Sequence, residues 1–151
     1  MALDDDIHIM RQVSLFEGLT AEQLRLLAFG SENISVAAGE EIYTEGESAD
    51  CAYIVTLGQV SLFRKSANER VLVKKAASGA ILGELALIAE TTRLTDAVAD
   101  RDSDLMRLNR ATFHRILVEY PDVAAALHAR ISDNLSTMIE RISKLAPHFN
   151  S

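Results

Sequence analysis

Residues 79–99 read Gly-Ala-Ile-Leu-Gly-Glu-Leu-Ala-Leu-Ile-Ala-Glu-Thr-Thr-Arg-Leu-Thr-Asp-Ala-Val-Ala, and the reading of the whole chain turns on them. Gly83 and Glu84 open a short apolar run, Leu85-Ala86-Leu87-Ile88, which predicts one or two turns of helix. Small residues at a helix start leave backbone N–H groups unpaired and facing outward, ready for an anion. Arg93 follows a Glu-Thr-Thr loop, and its planar fork of donors suits two oxygens of one phosphate better than a lysine would. Glu84 is the odd member. Its carboxylate repels a neighbouring phosphate, so its use is to accept a hydrogen bond from a sugar hydroxyl. Main-chain donors, a guanidinium and one hydroxyl acceptor together describe a pocket for a ribose phosphate. The same letters also fit an ordinary buried helix with Arg93 in a surface ion pair.

On either side of this stretch, from Asn33 to Leu108, the chain breaks into short strand-like runs. Ile34–Gly39, Glu41–Thr44, Ala52–Leu57, Gln59–Phe63, Val71–Lys74, Asp96–Ala99 and Asp104–Leu108 are strand-like by alternation or composition, with glycines at 39, 46, 58 and 79 near their ends. Many short strands with regular turn signals predict a small sandwich or roll. Ser66-Ala-Asn-Glu-Arg reads as a hairpin loop. The acidic residues at 40, 41, 45, 47 and 50 lack the spacing of a calcium loop and read as solvated turns.

Helical patterns flank the strands. Ile7, Met10, Leu15, Leu24, Leu27 and Ala28 form an apolar stripe over residues 7–29, and Thr20 with Gln23 has capping-box spacing. Asn109 is a candidate N-cap for a helix carrying Phe113, Ile116 and Leu117, which Tyr120-Pro121 interrupts. Pro121 then starts a longer helix to about Leu145, its stripe formed by Val123, Leu127, Ile131, Leu135, Met138, Ile142 and Leu145. One face of that helix can close over the strands and the remainder can pair with a second chain.

Composition narrows the function classes. The 151 residues carry a net charge of −7, which argues against nonspecific nucleic-acid binding. The hydrophobic fraction of 48% is that of a globular protein, no apolar run reaches membrane-spanning length, and the acidic start is wrong for a secretory leader, so the cytosol is expected. Cys51 is alone, the four histidines lack ligand spacing, and no nucleophile elbow or P-loop occurs; no metal and no enzymatic activity are expected.

The segment Gly83-Glu84-Leu85-Ala86-Leu87-Ile88 with Arg93 resembles the phosphate-binding cassette of the cyclic nucleotide-binding domains, of the catabolite activator and protein kinase A regulatory type. Residues 38–60 resemble the start of that family's β-roll throughout, including Gly46, Tyr53-Ile54-Val55 and Gly58, and the flanking helices resemble its N-terminal, B and C helices. The resemblance implies one α+β domain over 1–151: N-terminal helices at 7–29, an antiparallel, jelly-roll-like β-roll of about eight strands at 30–109 with its cassette at 79–99, and two C-terminal helices at 110–146. It implies that Glu84 holds a ribose 2′-hydroxyl, Arg93 the equatorial phosphate oxygen, and Gly83 with the N–H groups of Leu85, Ala86 and Leu94 the rest of the cradle. By the same register Leu62 and Val73 pack on the base, and Leu135, Met138 and Ile139 approach the base from the C helix; Lys74, next to Val73, can either see the base edge or, the plainer reading, lie on the strand surface.

Three positions depart from the family pattern. Thr92 replaces a proline, Leu94 removes the hydroxyl available to a phosphate or to guanine's amino group, and Asp96 weakens anion binding if it faces inward. The implied function is a non-enzymatic sensor. It binds cyclic AMP in preference to cyclic GMP, without other cofactor, and signals through C-helix movement to a protein partner. The partner's identity is open, and a homodimer through that helix is compatible with its stripe. With no helix-turn-helix after that helix, direct DNA binding is not expected, nor is membrane binding. The competing expectation is the same fold as an interaction or dimerisation module without nucleotide. A cyclic dinucleotide receptor, a third possibility, lacks a supporting arginine pair.

Overall fold

A computed structural model describes residues 2–122 and 124–133. Helix α1 (Ala2–Met10), a 3-10 turn (Ser14–Phe16) and α2 (Ala21–Phe29) precede ten strands. These are β1 (Glu32–Val36), β2 (Glu41–Tyr43), β3 (Ser48–Ala49), β4 (Cys51–Leu57), β5 (Gln59–Ser66), β6 (Glu69–Ala77), β7 (Ile81–Leu82), β8 (Thr91–Thr92), β9 (Asp96–Ala99) and β10 (Ser103–Asn109). A 3-10 turn at Glu84–Leu87 interrupts them, and α3 (Arg110–Glu119) follows; residues 121–122 and 124–133 are again helical. The β-roll flanked by helices is as expected, with ten strands rather than about eight. Those outside the seven predicted runs, β3, β7 and β8, are only two residues long.

The strands form two four-stranded antiparallel sheets, ordered β1-β10-β4-β7 and β2-β9-β5-β6, with β3 and β8 pairing separately. Tyr43, Val55, Val60, Leu62, Leu82, Ala97 and Leu105 belong to the core cluster built from these sheets. A second cluster joins the helices to the other face of the first sheet, through Ala52, Ile54, Met106 and Leu108. β4 is therefore buried on both faces, which is why Cys51-Ala52-Tyr53-Ile54-Val55 reads as a continuous apolar run rather than an alternation.

α2 starts where the hydroxyl spacing predicts. The Thr20 Oγ1 accepts from the Gln23 N–H at 3.1 Å while the Gln23 side chain accepts the Thr20 N–H at 2.9 Å. Asn109 does occupy the N-cap of α3, but its side chain makes no capping bond; the residue still pairs with Cys51 in the β10–β4 ladder. In the helical segment after Pro121, Leu127 and Ile131 are buried in the helical cluster with Leu24 and Phe113. Arg130 donates from Nη1 to the carbonyls of Leu15 and Glu17, tying this segment to the N-terminal 3-10 turn. Among the described residues no helix is long and apolar enough to cross a membrane.

Replacing Thr20 by Ala removes one half of the reciprocal cap and is expected to lower unfolding stability by about 1 kcal/mol. Urea denaturation followed by far-ultraviolet circular dichroism measures the change.

Candidate functional site

β7 pairs with β4 through Tyr53 opposite Leu82, and at Gly83 the chain turns sharply, with φ +73°. A side chain there is strained, and an added Cβ would collide with Nη1 of Arg93. The 3-10 turn Glu84–Leu87 follows, closed by the Ala86 N–H donating to the Gly83 carbonyl at 3.1 Å. That N–H, expected to be part of the open cradle, is engaged here, because i to i+3 closure uses donors one residue earlier than an α-helix does. After β8 pairs with β3, the backbone of Arg93 is fixed at both ends. Its N–H donates to the Glu47 carbonyl at 2.8 Å, and its carbonyl accepts the Gly46 N–H at 2.9 Å.

The Arg93 side chain points inward. The residue is 6% exposed, so the surface ion pair is not its role. Its Cζ sits 4.3 Å from the centre of the Tyr43 ring and 5.6 Å from that of Tyr53, and Nη2 donates to the Cys51 Sγ at 3.3 Å. Nη1 is buried, with no hydrogen-bond partner among the described residues. A buried, incompletely paired guanidinium is costly to maintain unless something else satisfies it.

Glu84 lies in the same cavity, half-buried. Burial pushes its carboxyl pKa up, opposed by its own backbone N–H and by the ammonium of Lys74. The cavity has a volume of about 280 Å³, near the lower end of the roughly 300–1,000 Å³ common for small-molecule sites. The sequence-predicted Leu62, Gly83, Glu84, Leu85, Ala86, Arg93 and Leu94 all line it.

Val73 does not line the cavity, and Lys74 does. The β5–β6 register shifts between Leu62 and Phe63, so Leu62 stands opposite Lys74 and Phe63 opposite Leu72. Val73 is the extra residue of this bulge and stays half-buried, while Lys74, opposite Leu62, is exposed and borders the cavity. Leu135, Met138 and Ile139 lie outside the described residues. Three groups were not foreseen: Tyr43 under Arg93, Thr95, and residues 12–14 from the linker after α1. Only the buried position of Tyr43 on a short strand could have hinted at the first; the linker comes near through tertiary packing, with no local signal.

Asp96 does not face the phosphate side. Its fully buried carboxylate accepts the Glu45 N–H at 2.7 Å and pairs with Arg70 at 3.0 Å and Lys65 at 3.7 Å. It serves the β2–β9–β5 framework rather than opposing an anion.

The cassette also contacts α3. Arg110 donates from Nε to the Ala86 carbonyl at 2.6 Å and from Nη2 to the Ala49 carbonyl at 2.5 Å, and its N–H donates to Asp50.

Residues 33–120 match the family model described as the cyclic nucleotide-binding domain. A cyclic nucleotide-binding-like protein from Brucella abortus, of known structure, is 54% identical; the match covers 76% of this chain and 98% of that one, with a TM-score of 0.69. The regulatory domain of Toxoplasma gondii PKA, solved with cAMP, is 28% identical over 76% of this chain and 44% of that one, with a TM-score of 0.72. Lysophospholipase nte1 of Aspergillus fumigatus is 29% identical over 133 residues; the match covers 85% of this chain but only 9% of that protein's length.

Two substitutions probe the site without ligand. Glu84→Gln removes a half-buried carboxylate whose raised pKa penalises the charged form. The variant is expected to melt at a higher temperature than the wild type at pH 7. The difference should close as pH falls through the raised pKa toward the ordinary carboxylate range, because the wild-type group then protonates. Gly83→Ala is expected to cost at least about 1 kcal/mol in backbone conformation and to push Arg93 from its place, measured by denaturant unfolding and a crystal structure of the variant.

Proposed function

The chain belongs to the cyclic nucleotide-binding domain family, and from that membership we propose that it captures a cyclic mononucleotide, cyclic AMP in preference to cyclic GMP, as a regulatory module without catalytic activity of its own. The observation that carries the reading is Nη1 of Arg93: buried, cationic, without a partner, and part of a side chain lining a cavity that also holds Glu84. A cyclic phosphate supplies the missing acceptor, and a ribose hydroxyl can donate to Glu84 while the phosphate stays on the arginine.

The adenine preference rests on two features. Leu94 has no hydroxyl to meet guanine's amino group. Gln12 at the cavity wall carries an amide that can donate and accept, matching adenine's N7 and exocyclic amine. The cAMP in the Toxoplasma gondii relative accords with this preference.

Signalling runs in this proposal from the cassette through Arg110 to α3, and on to the C-terminal helix, where a protein partner or a second copy of the chain responds. A ligand shifts such an equilibrium only by contacting the two states differently. Leu135, Met138 and Ile139 are proposed as the contacts made in one state only. The proposal is of a cytosolic protein forming one domain over 1–151. The alternative, an interaction module without nucleotide, draws support from the engaged Ala86 N–H and from Leu94.

Calorimetric titration separates the two. Saturable heat with cyclic AMP, weaker with cyclic GMP, is expected, and Arg93→Ala should reduce affinity by about 30-fold or more, since removing one partner of a buried charged contact costs roughly 2 kcal/mol or above. The 2′-deoxy analogue should bind roughly tenfold more weakly than cyclic AMP. Absence of heat at millimolar ligand selects the interaction module.

A further inference from the structure

Buried guanidinium groups ordinarily sit against carboxylates. Arg93 does not: among the described residues no carboxylate is paired with it, and the groups around it are Tyr43, Tyr53 and the Cys51 thiol. The two tyrosine rings are stacked, with centroids 6.0 Å apart and planes inclined by 28°, and they form a wall for the guanidinium to lie along. Tyr43 is the nearer, at 4.3 Å, within the range where a desolvated cation is strongly attracted by the ring face.

Tyr43 is itself firmly placed. It ends β2, pairs with Ala97 of β9, and is 6% exposed. The small Ala97 opposite it is fully buried in the same core cluster. Burial pushes the Tyr43 phenol up to about 12, only partly offset by Arg93 and by the Thr95 side chain, so the ring stays neutral and keeps its attractive face at working pH.

The choice of partner has a chemical consequence. A carboxylate would occupy the N–H groups of the guanidinium and would have to be displaced by an incoming anion. An aromatic face attracts the charge while using none of those donors. We propose that Tyr43 is a positioning residue for the ligand's phosphate: its ring holds the Arg93 guanidinium in the cavity in place of an ion pair and leaves Nη1 free for the anion. This rests on the cyclic nucleotide reading above and adds to it a residue that the cassette motif does not contain.

The test uses the full chain with Tyr43→Phe and Tyr43→Leu, and with Tyr43→Met should the leucine variant fail to fold by circular dichroism. Calorimetry with cyclic AMP and cyclic GMP should find the phenylalanine variant within about twofold of wild type, since the ring remains. The leucine or methionine variant should bind about 5- to 30-fold more weakly. Nuclear magnetic resonance of the ligand-free protein supplies a readout that a packing role alone would not move. The side-chain N–H and CδH₂ resonances of Arg93 should be shifted upfield by the ring current in wild type and phenylalanine variant, and should lose most of that shift without the Tyr43 ring, the more distant Tyr53 ring alone remaining. Equal affinity in wild type and the leucine or methionine variant overturns the proposal, as does a phenylalanine variant as weak as the ring-less one, or an unshifted Arg93 in wild type. A wild-type chain that binds neither cyclic nucleotide overturns the parent reading and this one with it, whereas wild-type binding that survives loss of the ring overturns this one alone.

Discussion

One buried positive charge, without a negative partner among the described residues, organises this molecule. A guanidinium removed from water must be surrounded by something that favours it, and here the surroundings are two aromatic faces and a thiol. Such neighbours soften the penalty without removing it, since one terminal nitrogen still lacks an acceptor. The backbone shares in keeping the group inside. The paired 46–47 and 93 segments, the short β3–β8 ribbon and the left-handed turn at Gly83 confine Arg93 on three sides. Energy invested in holding an unpaired cation is available to an anion that completes it, the usual relation between a preorganised site and its ligand.

The rest of the charge is arranged so as not to interfere. A chain of net charge −7 has to shield an anion site from its own carboxylates. Asp96, only three residues from Arg93, is turned to the opposite side and neutralised by Arg70 and Lys65. Glu41 and Glu45 meet Arg70 and Arg64 in the same network. Among the described carboxylates only Glu84 lines the cavity, where burial disfavours its charged form and Lys74 partly restores it. That balance suits a group intended to accept one hydrogen bond without repelling a nearby phosphate outright.

Much of this was readable in the residues. The cassette letters, the glycines at strand ends and the Thr20–Gln23 spacing are local signals, and the structure bears out the β-roll and the helix start they predict. Three kinds of feature were not local. Two-residue strands such as β3 and β8 have no periodicity to detect and exist because the neighbouring segment is there to pair with. The bulge opposite Leu62 sets Lys74 across from it, so that the lysine and not Val73 borders the cavity. The aromatic support of Arg93 depends on β2 lying beside β9, a pairing that neither segment announces.

The wall contributed by residues 12–14 has a practical corollary. The segment that defines the family begins at residue 33, yet Gln12, Val13 and Ser14 border the same cavity as Arg93, and Gln12 packs against Gly79. A fragment trimmed to the family's own boundaries would keep every cassette letter and still lack one side of this cavity, along with the helical residues that cover Ala52, Ile54, Met106 and Leu108. For this chain the cavity is built from more than the motif that reveals the family, because the segment ahead of residue 33 supplies core as well as wall.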